Sequence, residues 1–212
     1  LEMRLGGEYI KDAVHELEGL TKVFEDDLLY YDYAVALVKY YDLREPSDER
    51  LQDKAMEFFK RSYELGFNKG LHGAGLLHFE RGEYDKAITL LKEYEGLLLD
   101  NTDVDVYGKL GLACFEVDDS ECALRYLERA VYIEPSIDLK ARYHYTMGVI
   151  YLNFDENEKV LENFQAAVLL EPEFADAIME LSRNLVIMGH ETKASVLKVF
   201  LTTQSQVNDA LE

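Results

Sequence analysis

The chain has 212 residues, 42 acidic against 22 basic, and a formal charge of −20 at neutral pH. That balance excludes a nucleic-acid backbone or an anionic bilayer as the main partner, since both need positive charge. Its 15 Tyr and 10 Phe are too many aromatics for a solvated disordered chain, and 3 Pro with 13 Gly are too few for a turn-rich β-sandwich.

At roughly 150 residues per domain the length fits one extended domain or two small ones. No apolar run approaches the ~18 residues that span a bilayer, and Leu1–Gly7 holds no signal-peptide core. A cytoplasmic location is expected. Position 1 is not Met, so the sequence is expected to be a fragment. Residues 1–26 read as one amphipathic helix, with Ile10, Ala13, Val14, Leu17, Leu20 and Phe24 on a single face: a cap, or the remnant of an earlier unit. Residues 27–67 read as a helix pair. Tyr30, Tyr33, Ala34 and Leu37 mark the first helix, Ala55, Phe59 and Ser62 the second, and the polar insertion Glu45-Pro46-Ser47-Asp48 parts them. Tyr30, Tyr31, Tyr33, Tyr40 and Tyr41 go all round the first helix, so they divide between packing and a ligand platform.

From residue 68 the chain repeats. Gly75, Gly111 and Gly148 form one column; Ala87, Ala123 and Val160 a second; Leu91, Leu127 and Phe164 a third; Tyr94, Ala130 and Ala167 a fourth. All keep the same two offsets. Within 104–137, Tyr107, Leu110, Gly111, Cys114 and Phe115 follow the i, i+3, i+4, i+7, i+8 stripe of an amphipathic helix. A polar break at 117–120 precedes a second helix carrying Ala123, Leu127 and Ala130, which Pro135 ends. Residues 141–174 repeat the plan with His144, Met147, Gly148 and Tyr151, then Val160, Phe164 and Ala167, then Pro172. Asp138-Leu139-Lys140 are extra between these two units. Residues 175–208 keep Ile178, Leu181, Gly189 and Ala194 but have Ser182 in the glycine column. The two cysteines, Cys114 and Cys122, are too few for a disulfide framework and are expected to be free, partly buried thiols.

On these columns the chain resembles the tetratricopeptide repeat (TPR) family, whose ~34-residue unit has large–Leu–Gly–Tyr on its first helix and Ala–Phe–Ala–Pro on its second. Residues 104–137 and 141–174 carry the pattern in full and 68–101 in part; 27–67 and 175–208 are degenerate copies. The Leu65-Gly66 and Lys69-Gly70 steps and Gly73-Ala74-Gly75 also resemble Sel1-like repeats. The resemblance implies an all-α, right-handed TPR-type α-solenoid, a superhelix of antiparallel helix pairs forming one continuous domain. First helices would line a concave groove suited to an extended peptide or a partner helix.

The family's groove positions fall here on Tyr31, Val35, His72, Leu76, Phe79, Gly108, Leu112, Phe115, Tyr145, Val149, Leu152, Met179, Arg183 and Val186. This lining is mostly apolar and aromatic, so the expected ligand is a protein segment, apolar with basic flanks that the negative protein would steer. The family's clamp for acidic C-terminal tails is not expected: its Lys, Asn and Arg positions hold His72, Leu76, Lys109, Arg142 and Thr146. Val196, Val199 and Phe200 add a second candidate interface, because five apolar residues between Val196 and Leu201 exceed one inward face; a homodimer through this helix is one expected use. The Gly70–Gly75 run lacks the Lys-Ser/Thr and the strand of a phosphate loop and reads as helix packing. Asp100, Asp103 and Asp105 lack the glycine and terminal Glu of a calcium loop. The five His show no ligand spacing. No metal, cofactor or catalytic set is expected. The sequence therefore predicts a non-enzymatic interaction scaffold or adaptor. Two alternatives are kept: a small TPR chaperone for apolar segments of secreted or assembling proteins, and the non-catalytic TPR portion of a larger enzyme.

Overall fold

The computed structural model describes residues 2–43, 48–99 and 103–211, with side chains described at 7–43, 48–99 and 103–203. The insertion 45–47 and residues 100–102, with Asp100 among them, lie outside. Among the described residues there are eleven α-helices and no strand: α1 (Glu2–Thr21), α2 (Asp27–Asp42), α3 (Glu49–Glu64), α4 (Lys69–Glu80), α5 (Tyr84–Leu97), α6 (Val104–Glu116), α7 (Ser120–Ile133), α8 (Ile137–Asn153), α9 (Asn157–Leu170), α10 (Phe174–Ile187) and α11 (Glu191–Leu211). The chain divides into two compact units, 1–101 and 102–212.

In the first unit α1 packs on α2, α2 on α3, α3 on α4 and α4 on α5, and α2 also touches α4. Its core is built from Tyr30, Tyr33, Ala34, Leu37, Ala55, Phe58, Phe59, Ala74 and Leu77. The tyrosine cluster thus divides: Tyr30 and Tyr33 are buried, with the Phe58 ring edge-on to both at 5.3 and 4.8 Å, while Tyr31, Tyr40 and Tyr41 stay partly exposed. In the second unit the pairs α6–α7, α8–α9 and α10–α11 form in sequence, joined by contacts of α7 with α8 and α9 with α10; α6 also touches α8.

The repeated small residues explain the tight pairs. A methyl group added at Gly75 would sit 2.8 Å from the Leu91 side chain, one at Gly111 2.6 Å from Leu127, and one at Gly148 2.6 Å from Phe164. The glycine column of each first helix therefore receives the large-residue column of its own second helix, as ridge-into-groove packing requires. In the last pair Ser182 stands in that column, buried, and donates its hydroxyl to the Ala194 carbonyl at 3.2 Å, so the extra polar atom is satisfied. The Gly70–Gly75 run lies inside α4, where Gly73 faces the Phe59 ring.

Each of these first helices ends the same way. Gly82, Asp118, Asp155 and Gly189 have positive φ, between 58° and 81°. The next residue in each case donates five residues back: Glu83 to His78, Asp119 to Cys114, Glu156 to Tyr151 and His190 to Leu185. This is the Schellman stop; glycine adopts it freely and aspartate tolerates it. Side-chain caps open several helices. Asp26 accepts from Leu29 N–H at 2.8 Å, Asp119 from Cys122 N–H at 3.0 Å, and Ser136 from Leu139 N–H at 3.4 Å.

Two expectations are corrected. Cys114 and Cys122 are joined by a disulfide, with Cα atoms 5.7 Å apart, instead of being free thiols. The sharp turn after α6 brings the end of one helix beside the first turn of the next, within bridging distance. The last helix is also less apolar outside than its sequence implies. Ala194, Leu197 and Phe200 are buried, while Ser195, Lys198, Thr202 and Thr203 make its outer side polar around Val199. The helix thus covers the end of its unit much as a capping helix does.

Candidate protein-interaction faces

In the first unit the candidate residues lie on α2 and α4. Tyr31 sets its ring edge-on to Phe67 at 5.1 Å and tilts against Phe59 at 5.6 Å, and Val35 packs beside the core. His72 stacks parallel to Tyr94 at 5.1 Å, and Phe79 meets the edge of Tyr84 at 5.5 Å. All five candidates, Leu76 included, are partly exposed. Toward the ends of α2 and α4 a cleft of about 370 Å³ is lined by Tyr41, Glu49, Gln52, Asp53, Glu80, Arg81 and Glu83. Arg81 is held there by Asp53 at 2.7 Å and by Gln52 at 3.1 Å. Nearby, burial and then the Glu80 charge push the Asp42 carboxyl above its usual range.

In the second unit the candidates lie on α6, α8 and α10. Leu112, Phe115, Tyr145 and Val149 are partly exposed, and the two helices that carry them, α6 and α8, touch. Tyr145 packs on Phe164 at 5.7 Å and on Phe174, the first residue of α10, at 5.2 Å. Its hydroxyl is held neutral to higher pH by burial and then by Glu180. Met179 and Arg183 are exposed one turn apart, with the guanidinium 3.1 Å from the thioether sulfur. Three residues are placed otherwise. Leu152 is 2% exposed and Phe200 5%, so both pack within the unit, Phe200 against Phe164 at 6.3 Å. At Gly108 the space a side chain would take is filled by the Tyr143 hydroxyl end. That phenol is buried, and its pKa is pushed up to about 12 by burial and then by Glu134 and Asp105. Of the second candidate interface, Val196 is partly buried and only Val199 is exposed.

Of the clamp positions, Leu76 and Thr146 carry no charge and His72 stacks on Tyr94. Thr146 is buried and donates to the Arg142 carbonyl at 2.9 Å. Arg142 lies in a cleft with Asp138, Glu171 and Glu173, whose carboxylates compete with any anionic ligand; Asp138 raises the Glu171 pKa by hydrogen bonding to it. His144 bonds to Asn163 at 3.0 Å, a packing role. Among the described residues no group of three or more His, Cys, Asp or Glu is placed to hold a metal ion, and no helix is long and apolar enough to cross a membrane. Sequence reasoning missed Ile187 and Met188, 82% and 68% exposed beside Val186 at the end of α10. The signal was present, since three consecutive apolar residues cannot all face inward on one helix.

Residues 104–137 match the tetratricopeptide repeat model. No curated protein matches the chain. Solved structures do. One is the crystal structure of YrrB, described as a TPR protein with an unusual peptide-binding site; it is 21% identical with a TM-score of 0.64 over 92% of this chain and 91% of that one. Another is MamA from Desulfovibrio magneticus RS-1, 21% identical with a TM-score of 0.62 over 86% and 97%. Cut9, in the APC/C hetero-tetramer with Hcn1, is 16% identical with a TM-score of 0.59 over 91% of this chain but 39% of its own.

Proposed function

From a chain that carries a tetratricopeptide repeat at 104–137 and has the all-α fold of TPR proteins, we propose that its role is to bind segments of a partner protein on its first-helix faces, as a scaffold or adaptor. The observation that carries this is the contrast between columns. Gly75, Gly111, Gly148, Leu91, Leu127 and Phe164 are buried, whereas Tyr31, Val35, Leu76, Phe79, Leu112, Phe115, Tyr145 and Val149 remain part-open. Apolar surface held open on rigid helices is what an extended peptide or amphipathic helix covers. The peptide-binding site named for YrrB agrees with this reading by analogy of fold alone. The acidic cleft beside Glu49, Asp53, Glu80 and Glu83, and the charge of −20, favour a ligand with basic flanks. No step of this role needs a catalytic group. A cytoplasmic location agrees less well with the disulfide, since such bonds persist mainly in oxidising compartments.

A homodimer through α11 is the weaker alternative: among its described apolar side chains only Val199 is exposed, and each copy brings −20. Chaperoning of apolar segments draws on Met179, Val186, Ile187 and Met188, exposed apolar residues of α10 and its C-cap, the two methionines being the adaptable ones. The test is recovery of partners from native lysate with wild type, Phe79→Glu, Phe115→Glu and the second-helix control Tyr132→Glu, each first shown by circular dichroism to be helical. Tyr132 is 88% exposed on α7, so its variant should match wild type. A partner kept by the control and lost by Phe79→Glu or Phe115→Glu supports the proposal. Equal recovery by all four sinks these residue assignments.

A further inference from the structure

Three hairpins carry an equivalent pair of positions facing each other across the turn, and each fills it differently. In α4–α5 the pair is His78 and Lys86. Glu83 joins them, with His78 Nδ1 2.6 Å and Lys86 Nζ 2.8 Å from the same carboxylate oxygen. In α8–α9 the pair is Tyr151 and Lys159. The ammonium lies 4.7 Å from the centre of the tyrosine ring and 2.6 Å from Glu156. In α6–α7, 36 residues on from the first and 37 before the second, the pair is Cys114 and Cys122, joined covalently. The acid column changes with it. Glu83 and Glu156 each hold a lysine, whereas Asp119, lacking one, caps the Cys122 N–H at 3.0 Å.

We infer that Cys114–Cys122 is a redox-dependent latch, occupying the position where the other two hairpins use an ionic or cation–π staple. The reason is one of substitution. With cysteines at both positions this turn lacks the lysine that Glu83 and Glu156 hold in the other two, so its fastening at the turn depends on the oxidation state of the two sulfurs, while Arg129 over the Tyr107 ring at 4.0 Å ties the helices farther along. Both are buried, at 0% and 4% exposure, so exchange proceeds only when the turn opens. Opening the bond takes a dithiol. One thiolate attacks a cysteine sulfur to give a mixed disulfide and frees the other cysteine. The second thiol of the reductant then displaces the first cysteine. Two electrons and two protons pass to the chain, which ends with two thiols, and the reductant leaves as a cyclic disulfide. Closing is the reverse, with a small-molecule disulfide as oxidant. Leu112 and Phe115 sit beside Cys114 on α6, so the state of the bond also sets how firmly that face is held.

The test compares the whole chain before and after incubation with dithiothreitol, by thiol titration under denaturing conditions and by native-state amide hydrogen exchange. The unreduced chain is expected to show no titratable thiol and the reduced chain two. Exchange of the α6–α7 amides is expected to speed up on the order of 50- to 100-fold on reduction, the loop-closure effect of so short a crosslink. The α4–α5 amides should change little. The Cys114→Ala/Cys122→Ala variant should exchange like the reduced chain and ignore dithiothreitol; if it does not fold, the chemical comparison on wild type decides alone. Two titratable thiols in the unreduced chain, or equal α6–α7 exchange in both states, overturns the proposal.

Discussion

Glycine at 111 is fixed by what it faces. A methyl group there would lie 2.6 Å from the Leu127 side chain and 3.0 Å from its backbone nitrogen, so backbone as well as side chain must shift. Gly19, inside α1, has nothing within 4 Å of the same added atom. Alanine is otherwise worth up to ~1 kcal/mol over glycine in a helix. Gly111→Ala should therefore cost about 1–3 kcal/mol through overpacking, and Gly19→Ala should gain up to about 1. Urea unfolding of the two variants against wild type reads both signs; a stabilised Gly111→Ala would refute the packing account. The glycine column was legible in the sequence because it recurs at fixed offsets, and its physical cause follows from the residues it meets. The disulfide was not legible: eight residues separate the cysteines, and only the left-handed turn at Asp118 brings them together.

Helix pairs are fastened at their turns as well as along their faces, and the fastening of α4–α5 depends on pH. The Glu83 carboxyl is held below its usual pKa, first by its hydrogen bond to Lys86 and then by that to His78. A carboxylate with a depressed folded-state pKa contributes stability above its unfolded pKa and loses it as pH falls through the folded value. Glu83→Gln should thus lower the thermal midpoint at about pH 7, and the gap from wild type should narrow as pH falls below the usual glutamate range and the Glu83 carboxylate takes up its proton. A gap that stays constant across this range would show that the staple is not electrostatic. At the other end of the first unit, Lys54 on α3 reaches Glu18 on α1 at 2.6 Å, with both about a third exposed. In water such a pair is worth only ~0–1 kcal/mol. α1 is therefore held mainly by apolar contacts such as those of Val14 and Leu17 with the core. The amphipathic stripe in the sequence foretold that face, but no periodicity shows which polar residue of another helix will pair with Glu18.

For the molecule as a whole, charge is the property with the longest reach. At −20 the chain should associate faster with basic-flanked ligands than with neutral ones, and added salt should erase the difference, because the Debye length shrinks from ~10 Å at 0.1 M to ~3 Å at 1 M. Recovery of a partner through the faces of α2–α4 or α6–α8 should fall as salt rises, while contacts with the apolar side chains should persist. Recovery unaffected by salt would remove the basic-flank part of the proposal and leave the apolar part standing.

The sequence by itself determined the helices, their pairing and the repeat, because each rests on short-range periodicity: apolar residues at helical spacing, small residues at fixed offsets, and breaks where a helix must stop. The family resemblance that those columns carry pointed to Tyr31, Leu76, Phe79, Leu112, Phe115, Tyr145 and Val149, which are partly exposed. Only the tertiary structure decided which candidates stay open and which are spent on packing. Leu152 and Phe200 went inside, Tyr143 filled the space at Gly108, and two cysteines became a bond. Those outcomes depend on neighbours from other helices and on the geometry of the turns between them, which one strand of residue types does not contain.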